Sequence, residues 1–217
     1  MLERYLSALS LADPGAEDLA ATRERLRERF PKGATRRMTQ LGLLVGAALD
    51  ELAPRAEDAI VYATAYGESR TLEGYLESFP TASPTLFQTS IHPSAVQQAM
   101  ITRQQAVGEL FPLTGRGNLV AAAIQTAMLS PAPRVLLCGG EERGTWLLAN
   151  GVASARTFAF ALALSSDSGG ALGRITLTPD RGAATEFPLP DFFDALAGRQ
   201  SLDRIVGSGL RLTLDWS

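Results

Sequence analysis

The chain has 217 residues, 46% of them apolar, and a formal net charge of −3. That length suits one domain with a substantial core, and the apolar share excludes a disordered chain. Mild acidity without a basic stripe argues against nucleic acid as a partner.

In chain order, residues 17–30 predict a charged helix. Arg23, Arg25, Arg27 and Arg29 alternate there with Glu24 and Glu28, the pattern of a solvated face. Pro31, Lys32 and Gly33 end it, and residues 1–33 as a whole are expected to be a charged helical lead-in. Residues 36–52 predict an amphipathic helix, because Met38, Leu41, Val45, Ala48 and Leu52 recur at helical spacing. Residues 59–65, AIVYATA, predict a central strand buried on both faces. Residues 69–79 return to helix, with Leu72, Tyr75, Leu76 and Phe79 on one side. Pro80 and Ser83-Pro84 mark a loop.

Pro93 suits the first turn of a helix running to Gln104. GELFPL (108–113) predicts a short strand that Pro112 confines to an edge or an end. Residues 118–129 predict a helix, RVLLCGG (134–140) a buried strand and ARTFAFALALSS (155–166) another. A turn at Asp167–Gly170 leads into ALGRITLTP (171–179), and residues 191–198 predict a short helix. The tail GLRLTLDW alternates, with Leu210, Leu212, Leu214 and Trp216 on one face. Strands alternating with helices, then a strand-rich end, predict a layered α/β fold. The single cysteine, Cys138, allows no internal disulfide, and no run of 18 apolar residues exists. The opening residues do not form a secretory signal. A cytoplasmic location is expected, with no membrane span.

Two motifs resemble known sites only superficially. Ser166-Asp167-Ser168-Gly169-Gly170 is a Gly-rich turn, and the one histidine, His92, falls at a helix start, so a protease triad is not assembled. Gly115-Arg116-Gly117 precedes a helix, but Val120 stands where a dinucleotide loop needs its third glycine.

The segment RRMTQLGLLVGAALDELAP, followed by AIVYATAYGESRTLEGYLE, SPTLFQTSIHPSAVQQAMI and RVLLCGGEER, resembles the amino-terminal half of the β-ketoacyl synthases. It is most similar to the short, half-length members described as chain-length factors. The resemblance spans residues 36–178, with 179–217 as a carboxyl-terminal extension ending in a strand, all within one domain. It implies a thiolase-like layered α/β/α half-domain with a mixed sheet. In that family a Cys nucleophile stands on the turn before the second helix. Here the turn is Thr114-Gly115-Arg116-Gly117, and the nucleophile position falls on Arg116, which cannot carry an acyl thioester. The family's other catalytic groups, two His and a Lys, lie in a half that this chain has no room for.

The resemblance therefore implies no catalytic residue, no metal and no cofactor. It implies instead a heterodimer with a catalytic β-ketoacyl synthase subunit, and an acyl carrier protein as a further contact, in polyketide or fatty-acid-like biosynthesis such as the aryl-polyene pathways. Residues 86–111 would form the shared wall of the acyl tunnel. Leu86, Phe87, Gln97, Met100, Leu110 and Phe111 are the interface and tunnel candidates. Residues such as Phe87, Met100 and Phe111 are more often plain core than tunnel wall. Two alternatives stay open from the residues: a small thioester hydrolase or acyltransferase using Ser94, Ser166 or Ser168 with His92, and a homodimeric acyl-binding scaffold.

Overall fold

The computed structural model describes residues 1–207 and 209–217. Its centre is one eight-stranded mixed sheet in the order β3-β2-β4-β5-β1-β6-β8-β7. The strands are β1 (Leu2–Ala12), β2 (Ala59–Thr64), β3 (Glu109–Thr114), β4 (Arg134–Glu141), β5 (Phe158–Ser165), β6 (Gly173–Pro179), β7 (Leu202–Ile205) and β8 (Leu210–Trp216). Strands β3, β2 and β4 run parallel, and every other neighbouring pair is antiparallel. This is a thiolase-like layered α/β/α arrangement. Pro112 sits on β3, the edge strand, where its missing N–H costs the ladder least.

Helices cover both faces. One core gathers α6 (Leu119–Leu129) and α8 (Leu189–Ala197). The other gathers α1 (Leu19–Leu26), α2 (Gln40–Glu51) and α5 (Ser94–Arg103). Three more helices, α3 (Ser69–Glu77), α4 (Pro84–Ser90) and α7 (Trp146–Ala149), lie near the carboxyl end of β2. The alternation on β5 separates the layers by size. Phe158, Phe160, Leu162 and Leu164 face the first core, while Ala159, Ala161 and Ala163 face the second. Small residues let α2 lie close to the sheet. On α2 itself, Gly46 faces the Phe30 ring and Ala99, and a Cβ there would come within 3.0 Å of the ring.

Three expectations need correction. The lead-in is not wholly helical: residues 2–12 are strand β1, between β5 and β6 in the middle of the sheet. Its polar residues concealed this, because Arg4 and Ser10 are buried. Arg4 donates to the carbonyls of Ser130 (2.6 Å) and Ala132 (3.0 Å), which a sequence pattern cannot show. Arg4→Met would strand those acceptors and is expected to cost about 2–4 kcal/mol in urea unfolding. A cost below about 0.5 kcal/mol would contradict that role.

The helix expected over 36–52 breaks in two. A 3-10 turn spans Ala34–Arg37, and α2 starts after Thr39, whose hydroxyl caps it by accepting the Gly42 N–H at 2.9 Å. All of α2 but its last two residues is buried, so it is a core helix rather than an amphipathic one. The expected loop after Pro80 contains α4, capped by the Ser83 hydroxyl.

Candidate functional site

The resemblance places a nucleophile on the turn between β3 and α6. It carries none. Arg116 is exposed, and its guanidinium donates to the Gly151 carbonyl at 3.1 Å, pinning the loop after α7 beside the turn. Asn118 enters α6 in the left-handed region at φ 58°. Cys138, the only thiol, lies in the middle of β4 with no exposed surface, and burial pushes it far above the ordinary thiol range. It is neither placed nor ionised to attack a thioester.

His92 lies between α4 and α5. Its ring stacks on Tyr62 with centroids 5.3 Å apart, and Nδ1 lies 3.5 Å from Glu68 Oε2. Neither imidazole nitrogen, nor the Tyr62 hydroxyl, nor Ser69 Oγ has a hydrogen-bond partner among the described residues. The serines considered as its partners are otherwise engaged or distant. Ser94 Oγ accepts from Gln98 Nε2 at 2.7 Å. Ser165 pairs with Arg134, whereas Tyr62 pairs with Cys138, four residues further along β4. Ser166 and Ser168 are thus more than about 13 Å down the strands from the imidazole.

Four glutamates that the sequence did not single out gather at the same end of the sheet, each accepting backbone N–H groups. Glu141 accepts from Ala65, Glu142 from Leu41 at the start of α2, and Glu68 from Ala95 at the start of α5. Glu73 accepts from Thr145 (2.7 Å) and Leu147 (2.8 Å) at the start of α7 and pairs with Arg70 at 3.0 Å. Desolvation raises Glu141 and Glu142 to about 7. Glu73 differs. Burial works to raise it, but the Leu147 and Thr145 N–H groups, the Thr145 hydroxyl and Arg70 together hold it below the ordinary carboxylate value. Glu142, Glu68 and Glu73 thus hold the starts of α2, α5 and α7, and Glu141 holds the turn that leaves β2.

Glu73 has a structural consequence. Its burial turns the polar side of α3 inward, with Ser69 and Thr71, and leaves the apolar stripe outward. Leu72, Leu76 and Phe79 are exposed, and so are Phe87 and Ile91 beside them on and after α4, and Trp146 on α7. Tyr75 contacts both Phe79 and Phe87 with ring centroids 5.4 Å apart. An aromatic surface of this kind marks an interaction site more often than an isolated exposed leucine does.

The interface candidates fall into three places. Leu86 and Phe87 join the aromatic surface of α3 and α4, with Phe87 49% exposed. Leu110 and Phe111 are half-buried on edge strand β3, and they pack on opposite cores. Met100 is a core residue, 8% exposed, packed in the same core as α2 rather than on a surface. Gln97 is exposed on α5 and lines a groove toward the 3-10 turn.

No protein-family model matches the sequence, and no curated protein matches it. Solved structures do match. A chain in the complex of the ketosynthase ApeO with its chain length factor ApeC from Xenorhabdus doucetiae is 19% identical. The match covers 99% of this chain and 100% of that one, with a TM-score of 0.71. The ishigamide ketosynthase/chain length factor is 12% identical over 83% of this chain and 68% of its own, with a TM-score of 0.57. A β-ketoacyl synthase from Burkholderia phymatum STM815 is 11% identical over 85% of this chain and 66% of its own, with a TM-score of 0.56. Over essentially its whole length, this chain has the thiolase-like fold of the ketosynthases and chain length factors.

Proposed function

We propose that this chain is the non-catalytic, chain-length-factor-like subunit of a ketosynthase pair. The observation that carries the proposal is Arg116 at the β3–α6 turn, where the resemblance requires a thiol. The partner would perform acyl transfer, decarboxylation and condensation, with an acyl carrier protein delivering the chain. This subunit would stabilise that partner and close its acyl tunnel, in polyketide or fatty-acid-like biosynthesis, aryl-polyene synthesis included.

Two surfaces support pairing. The free edge of β3 offers unpaired backbone groups to a second chain. The aromatic face of α3, α4 and α7 offers apolar area rimmed by polar residues. On the edge strand, Leu110 and Phe111 supply the bulk that would limit chain length. Phe111→Ala, assembled with its synthase, is expected to shift the product toward longer chains by mass spectrometry. An unchanged product distribution would remove Phe111 from the tunnel wall.

Co-expression with a ketosynthase encoded alongside it, one that has its own Cys and two His, tests the pairing by size-exclusion chromatography. A stable one-to-one complex is expected. A homodimer that ignores the synthase would favour the scaffold alternative instead.

A further inference from the structure

Among the described residues, eight buried side-chain polar atoms lack a hydrogen-bond partner, and five of them belong to one corner of the molecule. They are the Tyr62 hydroxyl near the end of β2, Glu68 Oε2 and Ser69 Oγ where the chain enters α3, and both ring nitrogens of His92 between α4 and α5. Tyr62 has no exposed surface, and Glu68 and Ser69 are each 5% exposed. An orphaned buried polar atom costs at least as much as a lost hydrogen bond, so five together would offset a large part of a domain's stability. Buried polar groups in native proteins are satisfied by protein or by ordered water.

These four side chains cannot satisfy one another. Glu68 is anchored through Oε1, which accepts the Ala95 N–H at 2.9 Å, and its Oε2 lies 3.5 Å from His92 Nδ1. Tightening that contact into a hydrogen bond would still leave His92 Nε2, Tyr62 and Ser69 orphaned. Nor can Tyr62 serve His92. Their rings stack with an interplanar angle of 20°, which keeps the hydroxyl and the ring nitrogens in separate, nearly parallel planes. Burial, and then the nearby Glu68 carboxylate, raise the phenol well above its ordinary value, so the hydroxyl stays a donor.

The mixture of groups selects the occupant. Tyr62, Ser69 and one imidazole nitrogen offer protons, whereas Glu68 Oε2 and the other imidazole nitrogen need them. An anion would satisfy the donors but would face Glu68, with Glu73, Glu141 and Glu142 gathered nearby. A cation would satisfy the acceptors and leave the donors unpaired. No three His, Cys, Asp or Glu side chains among the described residues are placed to hold a metal ion. Water donates and accepts at once, and buried water commonly makes about three hydrogen bonds. We propose that bound water joins Tyr62, Glu68 and His92 at the junction of α4 and α5, with Ser69 as a further partner. That water, and not direct side-chain contact, ties the junction to β2. The aromatic face carried by α4 is thereby held through a hydrated joint. The inference rests on these side chains alone and does not need the subunit pairing proposed above.

A high-resolution crystal structure of the full chain tests it. Water is expected within hydrogen-bond reach of both the Tyr62 hydroxyl and Glu68 Oε2. Tyr62→Phe gives an independent test by sign, because it keeps the ring and its stacking on His92 and removes only the hydroxyl. A hydroxyl bonded to water stabilises the fold, so the variant is expected to melt about 2–4 °C lower than the wild type. Its crystal structure is expected to lose or displace that water. Removing an orphaned hydroxyl would instead leave the melting temperature unchanged or raise it. No water within that reach, a metal ion in its place, or a melting temperature unchanged or raised in Tyr62→Phe would each overturn the proposal.

Discussion

Phe87→Asp combined with Leu76→Asp is expected to weaken association with the proposed ketosynthase partner by at least about a hundredfold while leaving the isolated chain folded. Both side chains are exposed, at 49% and 42%, so neither supports the core. The fold loses little beyond the Phe87–Tyr75 contact, about 1 kcal/mol. The interface loses much more. Buried aromatic anchors commonly contribute 2 kcal/mol or more each when truncated, about thirtyfold in affinity, and a carboxylate in their place must be desolvated without a partner. Surface plasmon resonance on the purified subunits gives the affinity, and circular dichroism controls for folding. An affinity within about threefold of the wild type would move the interface off α3 and α4, leaving only the β3 edge.

The second large effect is a stability that falls as pH rises. Glu141 is 1% exposed and raised by desolvation to about 7, against 4.5 in an ordinary chain. Below pH 4.5 it is protonated both folded and unfolded, and nothing is lost. As the pH climbs toward 7, the unfolded chain gives up this proton and the folded chain keeps it. Stability therefore declines across that window, by up to about 3 kcal/mol for this group. Glu142 contributes in the same direction but is partly exposed, so solvent reduces its share. Glu73 works oppositely: its lowered value stabilises the fold above the ordinary carboxylate range and is lost in acid. In urea unfolding between pH 5 and 8, Glu141→Gln is expected to flatten much of the wild-type decline, because the amide oxygen still accepts the Ala65 N–H without a charge. Identical slopes for the two proteins would contradict the buried carboxylate as its source.

Elements that carry their own apolar pattern were legible in the sequence. β2, β4, α6 and β8 need no distant partner to be recognised, and Pro112 narrows β3 to an edge or an end, of which the sheet order shows the edge. β1 was hidden because Arg4 is satisfied by carbonyls 126 and 128 positions away. α3 was legible as a helix, but not in its orientation. A stripe of Leu72, Leu76 and Phe79 ordinarily points inward, and only the N–H groups of Thr145 and Leu147, more than 70 residues on, explain why Glu73 takes that place. That the turn Thr114–Gly117 holds no cysteine could be read directly from the sequence. The four gathered glutamates could not, since GEERG and YGESRTLE give no spacing signal until the ends of β2 and β4 meet.

Intact-mass spectrometry of the assembled pair after brief exposure to an acyl donor tests the central claim most directly. The added acyl mass should appear on the ketosynthase alone, and this chain should keep its unmodified mass while still co-eluting with its partner. A covalent acyl adduct on this chain, at Cys138 or any other residue, would contradict a subunit that shapes the cavity without taking part in the chemistry.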